Sequence, residues 1–137
     1  MSSYQEGVDA YERGNYDTAL KEFRPLADQG DPLAQATLGL MYAEGEGVAQ
    51  DYQEAARWYR LAAEQGDASG QFRLGAMYTA GQSVPKDYVL AHMWMNLAAA
   101  KRVKKAGKGR DFLEILMTPA QLAEAQRLAR EWRPKGK

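Results

Sequence analysis

The sequence predicts an all-α fold, a solenoid of stacked helix pairs, and three observations carry that expectation. First, the chain repeats itself: a shift of 36 residues lays 30–65 over 66–101 with 16 of 36 positions identical, and a period between about 20 and 50 residues is the mark of a repeat architecture. Second, each copy reads helix, loop, helix, with apolar residues at i, i+3, i+4 spacing on both sides of a glycine-rich segment. Third, the chain has 137 residues, no cysteine and one histidine, His92. That composition excludes a disulfide framework, a thiolate zinc site, a cysteine nucleophile and a histidine-rich metal site. No apolar run approaches the ~18 residues a membrane-spanning helix needs.

The first unit, residues 1–31, carries the second half of the pattern in Tyr16, Ala19, Arg24, Ala27, Gln29, Gly30 and Asp31, which match residues 52–67. Its first half (Gly7, Ala10, Gly14) sits closer, as though five loop residues were missing. The second unit, residues 32–67, predicts a helix from Pro32 to about Glu44 that presents Ala36, Leu38, Gly39 and Tyr42. Glycine inside a helix costs about 0.5–1 kcal/mol relative to alanine, so Gly39 and its repeat Gly75 mark a place where a neighbouring helix comes too close for a side chain. The loop Gly45-Glu46-Gly47-Val48 supplies positive φ and tucks Val48 inward. Asp51 then reads as an N-cap, with Glu54 completing a capping box, as Asp87 does one repeat later. The following helix, Tyr52–Glu64, lines up Ala55, Trp58, Tyr59, Ala62 and Ala63, and Gly66 ends it in the left-handed manner. The third unit, residues 68–103, follows the same plan.

Residues 104–137 read as a C-terminal capping region. Thr118-Pro119-Ala120-Gln121 is a helix start, with Thr at the N-cap, Pro at the first position and Gln at the third. Leu122, Ala125, Leu128, Ala129 and Trp132 follow as one apolar stripe. Repeat arrays need a terminal element to cover their last open face, and residues 110–133 are expected to supply it.

The pattern Leu-Gly-x-x-Tyr, Gly-x-Gly-Val-x-x-Asp, Ala-x-x-Trp-Tyr-x-x-Ala-Ala-x-x-Gly-Asp resembles the Sel1-like repeat, a relative of the tetratricopeptide repeat. Residues 32–67 match it almost throughout, and 68–103 match with Ser83 in place of the second loop glycine. The first unit is more similar to a tetratricopeptide unit, with Gly7, Gly14-Asn15-Tyr16, Ala19 and Phe23 at that family's spacing. The resemblance implies a right-handed α/α superhelix of three helix-turn-helix repeats plus a C-terminal cap. It also implies a non-catalytic adaptor, scaffold or inhibitor of bacterial type.

Carrying over the family's groove positions gives a partner-binding set on the concave face. These are Tyr4, Val8, Tyr11 and Glu12 from unit one, Ala36, Leu40, Ala43 and Glu44 from unit two, and Phe72, Ala76 and Thr79 from unit three. Small residues between the larger ones describe a shallow apolar trough with an acidic rim, a shape that takes a peptide or a helix. Two other readings of the same residues stand beside it: some are simply core, or the C-terminal helix folds back to fill the trough.

The motifs that suggest catalysis are weak. Ser83-Val84-Pro85-Lys86 spells the Ser-x-x-Lys of penicillin-recognising enzymes, but the accompanying motifs are absent and a proline interrupts it. β-Lactam binding or a vestigial serine hydrolase activity is therefore a remote alternative. His92 has no second histidine or carboxylate cluster at ligand spacing and is expected to be a surface or groove histidine. No cofactor, metal or catalytic residue is expected.

Net charge is zero, yet residues 1–70 hold five Lys/Arg against thirteen Asp/Glu, and residues 71–137 hold thirteen against five. The halves thus carry −8 and +8, an end-to-end dipole able to steer a partner or a second copy. Head-to-tail self-assembly is accordingly the structural alternative to partner binding. The run Lys101, Arg102, Lys104, Lys105, Lys108, Arg110 reads either as a solvated helix C-terminus, where cations offset the macrodipole, or as a patch for an acidic protein surface. Without interleaved aromatic residues it is not expected to bind nucleic acid, and no membrane insertion is expected. As written the chain reads as soluble and cytoplasmic, or periplasmic if an export signal has been removed.

Overall fold

A computed structural model describes residues 3–136; Met1, Ser2 and Lys137, at the ends of the expected units 1–31 and 104–137, lie outside them. The described residues form eight helices and no strand: α1 Ser3–Glu12, α2 Tyr16–Asp28, α3 Pro32–Glu44, α4 Tyr52–Glu64, α5 Ala68–Ala80, α6 Tyr88–Ala100, α7 Lys104–Leu116 and α8 Pro119–Glu131. Each odd-numbered helix up to α5 packs on the helix that follows it and, from α3 onward, on the one before. The fold is a right-handed superhelix of such pairs.

The repeat is physical as well as textual. Gln35 Nε2 donates to the Ala27 carbonyl at 3.1 Å, and Gln71 Nε2 does the same to Ala63 at 3.3 Å. Arg24 donates to the Tyr42 hydroxyl at 3.1 Å, and Arg60 to the Tyr78 hydroxyl at 2.8 Å. Gln65 Nε2 reaches the Gly30 carbonyl, and one repeat later Lys101 Nζ reaches that of Gly66. Each of these bonds ties one unit to the next, so the stacking is specified by polar pairing on top of a core of small residues. The core has two lobes. One gathers Phe23, Leu38, Met41 and Trp58 from α2–α4; the other gathers Tyr59, Leu74, Trp94, Met95 and Leu113 from α4–α7.

Tight approach explains the helical glycines. A Cβ on Gly39 would lie 2.7 Å from the Tyr59 ring, and one on Gly7 2.8 Å from the Phe23 ring. Gly47 is required twice over: its φ is +77°, and a side chain there would run into Tyr16. Asp31, Asp51, Asp67 and Asp87 all cap helices through their carboxylates.

Four local expectations need correction. The α1–α2 loop, residues 13–15, is four residues shorter than the α3–α4 loop, residues 45–51, where five were expected to be missing. Glu54 does not close a capping box on Asp51, because the Asp51 N–H already donates to the Tyr42 carbonyl; Glu54 pairs with Arg57 instead. His92 is neither at the surface nor in a groove. It is 1% exposed, with Nε2 2.9 Å from Glu114 on α7, because that face of α6 is covered by α7. Finally, the basic run is not one helix C-terminus. Lys101 and Arg102 follow α6, but Lys104, Lys105, Lys108 and Arg110 lie on α7, starting in its first turn.

The capping region holds a further regularity: α7 keeps the bounds of α5 at the same shift of 36 residues (104–116 against 68–80). Ala106 and Leu113, its buried residues, stand where Gly70 and Met77 are buried on α5. The register ends there. Only Met117 and Thr118 separate α7 from α8, against seven residues between α3 and α4. Thr118 and Gln121 form a reciprocal capping box that starts α8 at once. With so short a link α8 packs on α6 rather than folding back along α7.

Candidate functional site

Two openings are walled mainly by residues of α3 and α5. One, of about 130 Å³, is walled by Tyr4, Leu33, Ala36, Thr37, Leu40, Tyr59, Asp67, Ser69 and Arg73. The other, of about 360 Å³, is walled by Ala43, Glu44, Tyr52, Tyr59, Arg73, Ala76, Met77, Ala80 and Gln82. Tyr59 and Arg73 belong to both, so the two openings are neighbours along one trough. No α8 residue is in either wall, in keeping with the packing of α8 on α6.

Of the groove positions expected from the sequence, Tyr4, Ala36 and Leu40 wall the first opening, and Ala43, Glu44 and Ala76 the second. The others are placed differently. Val8 is half-buried against the N-terminal core lobe. Tyr11 donates its hydroxyl to Glu46 at 2.7 Å, Glu12 is exposed, Phe72 packs half-buried on the C-terminal lobe, and Thr79 donates to the Gly75 carbonyl at 2.9 Å.

Sequence reasoning missed Tyr59 and Arg73. Tyr59 belongs to α4, a second helix; read as core, it is indeed 2% exposed within the C-terminal lobe, and what went unread is that it also walls both openings. Its ring passes over Gly39, and the missing side chain there is what lets it through to the groove. The signal was a glycine on one helix paired with a large residue on the next. The Tyr59 hydroxyl is buried and has no hydrogen-bond partner among the described residues. Burial pushes its pKa up to about 12, against the pull of Arg73, with Glu44 and Glu46 adding to the rise.

That unpartnered hydroxyl gives a test of the groove floor. Replacing Tyr59 by Phe removes a buried polar atom that gains no bond, so stability at neutral pH is expected to hold or rise by up to about 1 kcal/mol. Because the folded pKa lies above the ordinary value of 10.0, Tyr59 contributes stability below pH 10 that is lost as pH rises toward 12. Tyr59→Phe is expected to flatten that alkaline loss by at most about 1.4 kcal/mol per pH unit, read by denaturant unfolding across the range. A variant that loses stability at pH 7 and keeps the full alkaline slope would show that the hydroxyl is satisfied in solution.

The rim is acidic. Besides Glu44 and Asp67, Glu46 faces Tyr11 and Tyr16 and raises both pKa values, with burial the first cause for Tyr11 and the Glu46 charge for Tyr16. Asp67 is itself shifted upward by burial, with the Gly70 N–H and Lys101 opposing. Arg73 is the only cation in the two walls, and its guanidinium lies 5.9 Å from the Phe72 ring. A third opening, of about 430 Å³, lies at the turns between units, beside Gly30, Gln65 and Lys135. There the segment after α8 runs back across the molecule, and the Lys135 N–H donates to the Glu64 carbonyl.

No group of three or more His, Asp or Glu residues among the described ones could hold a metal. Ser83 sits in an exposed loop with φ +60°, and the Lys86 ammonium lies 5.6 Å from the Tyr88 ring. No described helix is long and apolar enough to cross a membrane.

Fold and groove together define a helical repeat protein with an open concave face. More narrowly, the chain belongs to the Sel1 repeat family, whose model matches residues 32–67 and 68–102, and which commonly furnishes protein–protein interaction modules. It is similar to a protective antigen of uropathogenic Escherichia coli strains that displays the same fold, at 32% identity and TM-score 0.89 over 95% of this chain. It is also similar to a Sel1 repeat protein from Oxalobacter formigenes, at 31% identity and TM-score 0.75 over 93% of this chain. It spans 29% of the first protein's length and 54% of the second's. No curated protein matches the chain.

Proposed function

We propose that this protein is a non-catalytic interaction module that binds a peptide or protein segment along its concave trough. The observation that carries the reading is the pair of adjoining openings that share Tyr59 and Arg73, floored by Ala36, Leu40, Ala43 and Ala76 and left uncovered by α8. Small side chains on the floor leave room for a partner's large ones, which is how apolar grooves seat anchor residues.

The test is affinity capture from source-cell lysate with wild type beside a Leu40→Lys, Ala76→Glu double variant of matching circular dichroism and melting temperature, one change in the wall of each opening. A partner held by wild type and reduced at least tenfold by the double variant is expected. A partner held equally by both removes the trough from consideration. The charge halves of −8 and +8 favour a second reading, head-to-tail assembly, which requires a mass that rises with concentration and falls with salt.

A further inference from the structure

No α7 residue walls either opening, yet the placement of α5 continues on α7. Because α7 repeats α5 at a shift of 36 residues, the positions of Phe72, Ala76 and Thr79, of which Ala76 walls the second opening, recur as Lys108, Phe112 and Ile115. On the earlier helices this line is small or half-buried. On α7 it is large and open: Phe112 is 55% exposed, Ile115 80% and the adjoining Leu116 45%. α8 does not cover them either, since it lies on α6.

The same outward face of α7 is basic in its first half. Lys104, Lys105 and Lys108 are exposed and have no carboxylate partner among the described residues, while Arg110 is paired with Asp111 and Glu114 with His92. They stand where cations are least favourable, at a helix start whose N-cap, Val103, makes no side-chain cap. A helix start without a side-chain cap, uncompensated lysines and an exposed apolar triad thus follow one another along a single face.

We propose that α7 is the anchoring end of the concave groove and that its partner is an acidic amphipathic segment, its large apolar side chains on Phe112, Ile115 and Leu116 and its carboxylates on Lys104, Lys105 and Lys108. The proposal rests on the reading of the concave face given above. The acidic end of a second copy fits poorly: α1 and α2 are acidic, but none of the exposed large apolar residues belongs to them, so nothing there meets the triad. An anionic membrane surface is the alternative that the vesicle measurement below separates.

The probe is a displayed library of random 12-residue peptides selected on the full chain, from which an enriched peptide is synthesised and its affinity measured. Enrichment of Asp/Glu together with Phe, Leu or Ile is expected. So is at least a tenfold loss of affinity in Phe112→Ser, Ile115→Glu and, separately, in Lys104→Glu, Lys105→Glu, Lys108→Glu. Both changes are at exposed positions and should fold as wild type does. Weakening by salt is expected in addition. A peptide whose binding is lost in Leu40→Lys, Ala76→Glu but kept in both α7 variants overturns the α7 assignment and leaves the groove standing. Binding untouched by all three variants overturns both. Enrichment of basic or purely apolar peptides, binding to phosphatidylglycerol vesicles in place of peptide, or a concentration-dependent mass abolished by the α7 changes would each overturn the acidic partner.

Discussion

Replacing Trp94 by alanine is expected to destabilise the protein by about 3–5 kcal/mol, a large share of the 5–15 kcal/mol typical of a folded domain. Trp94 is 5% exposed within the C-terminal core lobe. Its ring meets that of Trp132 edge-on at 6.1 Å and 73°, and Trp132 in turn lies beneath the Lys101 ammonium and against Gly66. The side chain therefore fills the lobe and also seats the end of α8. In a stack where each unit contacts only its neighbours, damage at one end spreads inward only as far as the next interface can resist. Hydrogen exchange is accordingly expected to lose protection first in α6–α8 of the variant, with α1–α4 last. Trp132→Ala, which removes only a half-buried ring, is expected to cost less than half as much. If Trp94→Ala shifts the denaturation midpoint no more than Trp132→Ala does, the indole is not the keystone of this lobe.

The helix pairs and caps of α2–α6 were legible because the repeat states them twice, in the same residue types at the same spacing. Much of what was missed concerns α7, and the reason is physical. Lys104-Lys105-Ala106-Gly107-Lys108-Gly109 has two glycines and no apolar period, so neither propensity nor pattern announces a helix. Ala106 and Leu113 suffice to bury one face on α6, and tertiary packing overrides the local preference. The exact continuation of the 36-residue register into α7 leaves no trace in identity, since the units agree there in placement alone. His92 was misplaced for the same reason: capping helices were expected over 104–137, but its burial depends on where α7 begins and which face it turns to α6. In the groove, the small floor residues Ala36, Ala43 and Ala76 were found through their family positions, whereas Tyr59, itself buried, comes into the walls of the openings only across the gap above Gly39. A side chain that crosses from one helix layer to another cannot be read from the periodicity of its own helix.

That gap yields the second large effect, and it separates two glycines that look equivalent in sequence. Alanine at either Gly39 or Gly75 gains about 1 kcal/mol of helix propensity. At Gly39 the new methyl would lie 2.7 and 2.8 Å from Tyr59 Cδ1 and Cε1, with the Ala55 carbonyl 3.3 Å away. Tyr59 is 2% exposed, so its stiff ring has nowhere to swing, and overpacking of this kind costs about 1–3 kcal/mol. At Gly75 the Ala91 carbonyl is likewise 3.3 Å away, but the side chain met is Met95, Cγ at 3.1 Å and Cε at 3.4 Å, and an unbranched thioether chain yields easily. Gly39→Ala is therefore expected to lose up to about 2 kcal/mol net, and Gly75→Ala to stay within about 0.5 kcal/mol of wild type. Placing methionine at 59, the residue the next repeat uses at 95, is expected to rescue Gly39→Ala. A double-mutant cycle across Gly39→Ala and Tyr59→Met is then expected to show a favourable coupling of about 1 kcal/mol. Equal losses at the two glycines, or a cycle that closes on zero, would mean that the ring at 59 relaxes freely, and a freely relaxing ring would not hold the groove floor in one shape.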